Sequence, residues 1–93
     1  MRNLGAYDEA LQAYNELADI YPENATVALR QAECHIYLKD YDTAFKFLFK
    51  ADYLSPDSGN AERALAWCSL LTGKYEQAEK YYLKVIGNQP TQA

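Results

Sequence analysis

Apolar residues recur along this chain at spacings of three and four. Tyr7, Ala10, Leu11, Tyr14, Leu17 and Ala18 form one such series, the single apolar face of an amphipathic helix. Tyr41, Ala44, Phe45, Leu48 and Ala51 form a second, and Tyr75, Ala78, Tyr82, Val85 and Ile86 a third. The segments between them keep the same period: Ala28, Leu29, Ala32 and Ile36 in one, and Ala64, Leu65, Trp67, Cys68 and Leu71 in the other. Each of the three main series stops shortly before a proline, because the residue before proline disfavours the α region. Asn24 and Ser58 are expected to cap the intervening helices, and Gly73 to end the later one. The pattern predicts five helices, near 5–20, 24–38, 41–54, 58–72 and 75–87. Turns of about two to four residues make consecutive helices antiparallel.

The series repeat one another. Pro22, Pro56 and Pro90 are each 34 residues apart. The same offset aligns Tyr7 with Tyr41 and Tyr75, Ala10 with Ala44 and Ala78, and Tyr14 with Leu48 and Tyr82. Leu17, Ala51 and Val85 also fall together, as do Ala32 with Ala66 and Cys34 with Cys68. Gly5 and Gly73 bracket Lys39 at one register, and an acid (Asp8, Asp42, Glu76) follows each aligned tyrosine. No insertion or deletion breaks the register. A period of this length held over the whole chain implies stacked supersecondary units, each hiding its apolar face against a neighbour.

Composition narrows what such a stack can do. Thirteen acids against nine bases give a net charge of −4, the wrong sign for a chain that needs a basic face to bind nucleic acid or an anionic membrane. No apolar run approaches the roughly 20 residues of a membrane span, and the first residues carry no signal-peptide apolar segment. A cytoplasmic location is expected. At 93 residues the chain holds one domain with a thin core, burying about 65% of its unfolded surface.

Catalytic and metal chemistry find little material. The one histidine, His35, adjoins Cys34, but adjacent helical positions point about 100° apart and form no dyad. His35 is expected to be packed or half-exposed. Cys34 and Cys68 are expected to stay reduced and buried, because equivalent helices in a stack stand about 8–10 Å apart, beyond the roughly 7 Å reach of a disulfide. Two cysteines and one histidine do not close a structural zinc site. Acidic pairs such as Asp8-Glu9 and Asp40/Asp42 read as helix starts and solvated faces. We therefore expect no enzyme, no metal and no cofactor.

Three stretches, Gly5-Ala6-Tyr7-Asp8-Glu9-Ala10, Lys39-Asp40-Tyr41-Asp42-Thr43-Ala44 and Gly73-Lys74-Tyr75-Glu76-Gln77-Ala78, each stand twelve residues before Pro22, Pro56 or Pro90, counted from the alanine. In this the chain resembles the tetratricopeptide repeat family over essentially its whole length. The first-helix signature of that family, a large aromatic, Leu-Gly and then Tyr, is reduced here to the small residue Ala32 or Ala66. The resemblance implies an all-α fold: a right-handed α-solenoid of antiparallel helix pairs, five helices in one domain over residues 1–93. Residues 1–24 are then the second helix of a half repeat, followed by repeats at 25–58 and 59–93.

The resemblance also implies a function. First helices of such arrays line a concave groove that holds a peptide or a partner helix. By register the groove positions are Thr26, Leu29, Arg30, Glu33 and Tyr37 from one repeat. The next repeat supplies Asn60, Arg63, Trp67, Leu70 and Leu71. Trp, Tyr and Arg dominate binding hot spots, so Trp67 is expected to fill a pocket and Arg30 with Arg63 to hold a carboxylate. The carboxylate clamp of co-chaperone modules in this family is not reproduced: the equivalents Leu29/Glu33, Arg30, Asn60 and Ala64 do not match it, and Glu33 repels an acidic tail. The expected function is a non-catalytic protein–protein interaction scaffold. The alternatives are a structural spacer or self-association segment of a larger repeat protein, and a chaperone-like module for an apolar segment. Two and a half repeats leave both ends open. Leu4, Leu11 and Tyr14 at one end, and Tyr75, Tyr82, Val85 and Ile86 at the other, are the expected contacts of a homo-oligomer if the chain is not a piece of a longer array. Tyr21 and Tyr53 lie near helix ends, and Tyr81 is expected to face outward.

Overall fold

The computed structural model describes residues 4–56 and 59–88. Five helices account for the three-and-four periodicity: α1 Leu4–Ile20, α2 Ala25–Tyr37, α3 Tyr41–Leu54, α4 Asn60–Leu71 and α5 Tyr75–Asn88. Among the described residues there is no strand. Each helix packs on its neighbours in sequence, and α2 also meets α4. This nearest-neighbour pattern draws the molecule out to 42 × 29 × 23 Å, as expected of stacked helix pairs.

The turns explain the boundaries. Asn24 caps α2: its side chain accepts from the Val27 amide at 3.1 Å. Asp40 caps α3 through the Thr43 amide at 3.5 Å. Ser58, expected to cap α4, lies outside the described residues. That helix begins two residues later than the pattern predicted, with Gly59 as N-cap at φ 78° and no side-chain cap bond. The ends of α2 and α4 are built alike. Lys39 donates to the Ile36 carbonyl and Asp40 to that of His35, while Gly73 donates to Leu70 and Lys74 to Ser69. This paired pattern is the Schellman motif, in which the residue just past the helix cap takes a left-handed backbone. Lys39 (φ 66°) and Gly73 (φ 79°) supply it.

The core is thin, as the size of the chain dictates. Its main cluster joins Ala32 and Ile36 of α2, Ala44 and Leu48 of α3, and Ala64, Leu65 and Cys68 of α4. Ala32 and Ala66 are fully buried; a side chain of one carbon lets neighbouring helices approach closely. Tyr81 does not face outward: it is half-buried and packs against this cluster. On α5 the stripe 78, 81 and 85 faces α4, which also corrects the expectation for Val85. It is only 6% exposed, so it is spent within the chain and offers nothing to a second copy. Val85 follows Ala51 by one period, and Ala51 is buried too.

Candidate functional site

Where α2, α4 and α5 converge they leave an open cleft of about 500 Å³. Leu29, Arg30 and Glu33 come from α2; Asn60, Arg63, Ala64 and Trp67 from α4; Tyr82 from α5. The helical period is what collects them. Positions 29, 30 and 33 share one face of α2, and 60, 63, 64 and 67 share one face of α4. Leu29, Ala64 and Trp67 also touch the main core, so the apolar wall of the cleft is anchored in the interior and held rigid.

The two arginines differ. Arg30 points its guanidinium at Glu33, three residues on, with Nη1 2.9 Å from Oε1. The hydrogen bond and the charge of Glu33 hold Arg30 more firmly protonated than a free arginine. Arg63 has no ion-pair partner among the described residues. The joint hold of Arg30 and Arg63 on a ligand carboxylate, expected from register, is therefore not preformed: spacing on the same helix gives Arg30 an internal acid first.

An aromatic row runs along the same side. Tyr37 stacks on Tyr7 with ring centroids 4.7 Å apart and 13° between planes. Tyr37 also meets the Trp67 ring, with centroids 5.8 Å apart in an edge-on arrangement. Tyr7, Tyr37 and Trp67 thus link α1, α2 and α4. Trp67 belongs to both the core and the surface: half-buried, it packs on the main cluster while lining the cleft.

Of the ten groove positions read from register, Leu29, Arg30, Glu33, Asn60, Arg63 and Trp67 line this one cleft. Thr26 borders a much smaller neighbouring recess of about 60 Å³ that shares Leu29 and Asn60. Tyr37 reaches the cleft through Trp67. Leu70 and Leu71 are exposed large apolar residues that do not line it. Tyr82 was assigned to an associating end face, and the structure puts it in the cleft wall. The signal was its register with Leu48, which is buried in the same core cluster as Ala64 and Leu65 of α4: this register faces the side of the first helices. Of the remaining end residues, Leu11 and Tyr14 are half-buried, Tyr75 and Ile86 are exposed, and the side chain of Leu4 lies outside the described residues.

His35 is half-buried, stacked on Phe47 at 5.4 Å, with Nδ1 3.5 Å from Asp40 Oδ2. Cys34 and Cys68 are both buried free thiols. Burial pushes each above the ordinary thiol range, the direction of an unreactive thiol. Among the described residues no group of three or more His, Cys, Asp or Glu is placed to hold a metal ion.

Helix pairs stacked in one line, with a cleft on the side of the first helices, define a helical-repeat protein of the interaction type. The chain belongs to the tetratricopeptide repeat family: two models of that description match residues 3–53 and 43–93, and it carries about two and a half repeats. It is 31% identical over 90 residues to the small glutamine-rich tetratricopeptide repeat-containing protein 2 of Saccharomyces cerevisiae, covering 94% of this chain and 26% of that protein. It is 38% identical over 84 residues to the TPR repeat-containing protein MJ1428 of Methanocaldococcus jannaschii, covering 88% of this chain and 14% of that one. The chain thus spans about a quarter or less of these relatives. Among solved structures, the first TPR of Spaghetti (RPAP3) bound to the HSP90 peptide SRMEEVD superposes with a TM-score of 0.86 at 26% identity, over 95% of this chain and 70% of that one. MamA MSR-1 gives 0.82, also at 26% identity, over 89% of this chain and 48% of that chain. Among the described residues no helix is long and apolar enough to cross a membrane.

Proposed function

We infer that this chain is a non-catalytic interaction module, a single unit of half a repeat (1–24) and two repeats (25–58, 59–93). It holds a peptide or a partner helix in the cleft between α2, α4 and α5. One observation carries the reading: a core-anchored indole, Trp67, stands one turn from Arg63 in an open cleft whose other apolar walls are Leu29, Ala64 and Tyr82. An apolar anchor beside a guanidinium with no ion-pair partner among the described residues fits a bulky side chain next to a carboxylate. The peptide-bound RPAP3 repeat domain supports a peptide as the ligand type. The cytoplasm is the compartment that goes with this reading.

Trp67 is the single tryptophan, so its emission reports the cleft directly. A ligand peptide is expected to shift that emission in a saturable way. Arg63→Gln should weaken the same peptide about tenfold, the value of one hydrogen bond to a charged group, with unchanged far-ultraviolet circular dichroism. Arg63 is exposed, so its loss does not disturb the core. Equal binding by the variant rules out this site.

A second reading, self-association, rests on a separate observation. Tyr75, Leu83 and Ile86 of α5 are 68%, 60% and 65% exposed and lie on one side of that helix. A second copy of the chain is the occupant this reading names.

A further inference from the structure

The cleft contains two guanidiniums and one carboxylate, Arg30, Arg63 and Glu33, and its other lining residues are neutral. Its charge is therefore +2 − 1, or one positive charge, and the structure shows where it resides. Arg30 is committed to Glu33 at 2.9 Å, and Arg63 has no ion-pair partner among the described residues. We propose that the cleft reads a single carboxylate: its preferred ligand is a peptide segment with one acidic side chain beside a bulky apolar one, and Glu33 is the specificity residue that rejects runs of acids. The proposal rests on the interaction reading above and adds the charge of the ligand to it.

The physical reason is competition at the rim. The first carboxylate of a ligand meets Arg63 without displacing anything and gains a charge-assisted hydrogen bond. A second must either break the Arg30–Glu33 pair or sit against the Glu33 charge. Like-charge juxtaposition is the usual device by which an interface refuses a wrong partner. The chain as a whole, at −4, adds a diffuse repulsion in the same direction. Glu33 meets Arg30 through an i,i+3 contact on one helix, so the pair is formed before any ligand arrives.

The test uses the full chain and three end-blocked nonapeptides of Gly and Ser around one Phe, carrying zero, one or three Glu. These peptides lack Trp and Tyr, so Trp67 emission reports each titration. The single-Glu peptide is expected to bind at least fivefold more tightly than the neutral one. The triple-Glu peptide is expected to bind no more tightly than the single. In Glu33→Gln the order reverses: the triple-Glu peptide becomes the tightest, by about fivefold, with a steeper loss of affinity on adding salt. Arg63→Gln removes the preference for the single acid and serves as the second variant; circular dichroism checks that both fold. Tighter binding of the triple-Glu peptide to the unaltered chain overturns the single-carboxylate proposal and leaves the interaction reading standing. So does equal binding of the neutral and single-Glu peptides. No saturable response to any peptide overturns both.

Discussion

Lys39 holds its backbone at φ 66°, a conformation that costs an L-residue about 1–2 kcal/mol. One period later the same hydrogen-bond pattern is completed by Gly73 at φ 79°. The chain thus contains its own control. Lys39→Gly relieves the strain, offset in part by the greater freedom of glycine in the unfolded chain, and should raise stability by about 0.5 kcal/mol. Gly73→Ala has open space for its Cβ but the wrong backbone, and should lower stability by about 1 kcal/mol. Urea unfolding followed by circular dichroism checks both; a Lys39→Gly variant less stable than the parent contradicts the reading of the turn. At this scale sequence was a partial guide. The alignment of Gly5, Lys39 and Gly73 marked the position, and the helix end at Gly73 was legible. That a lysine would accept the same backbone is decided by the turn's two hydrogen bonds and the packing behind them.

Between elements, an ionic cluster joins three helices. Glu62 of α4 is 4% exposed, and its Oε2 lies 3.3 Å from Nζ of Lys84 on α5. Asp52 of α3 feels the same place: burial pushes its carboxyl above the usual range, the Glu62 charge adds to this, and Lys84 opposes it. A carboxyl raised in the folded state binds its proton more tightly there than in the unfolded chain. The stability it contributes is present below the ordinary carboxylate range and is lost as pH rises through the raised value. Asp52→Asn removes this penalty. The variant is expected to be more stable than the parent at pH 7, with the gap closing towards pH 3, as read from denaturation midpoints at the two pH values. A gap that widens on acidification contradicts the assignment. Sequence gave no warning of the cluster. Charge spacing within one helix says nothing about which residues meet across three.

For the whole molecule, the open question is what α5 presents to solvent. One period earlier, Tyr41 and Phe45 pack against the main cluster, which includes the buried Leu48. On α5 the counterpart of Tyr41 is the exposed Tyr75 and that of Phe45 is Glu79, and Leu83 and Ile86 are exposed on the same side of the helix. Burying a Leu and an Ile each contributes about 1.5–3 kcal/mol. The chain is expected to self-associate as its concentration rises, and the double variant Leu83→Glu, Ile86→Lys to remain monomeric, with unchanged helicity. Light scattering across a concentration series decides this, and a parent chain that stays monomeric at millimolar concentration removes the second reading. The same experiment isolates the cleft: Tyr82 lies on its wall, so peptide binding should survive the two changes.

What sequence determined by itself is the helical content, the 34-residue register and the side of the stack on which function is expected. All three follow from local physics: an apolar face every three to four residues, proline and left-handed turns at fixed offsets, and small residues where helices touch. What tertiary structure alone decided is how side chains that the helical pattern groups together diverge. Tyr82 lines a cleft where Leu48 is core, Val85 is buried where Ile86 two-thirds projects, and Arg30 pairs with Glu33 while Arg63 has no ion-pair partner among the described residues. Periodicity fixes the direction in which a side chain leaves its helix. Whether it meets a neighbour, an opposite charge or water depends on elements distant in sequence, and those set the chemistry of the cleft.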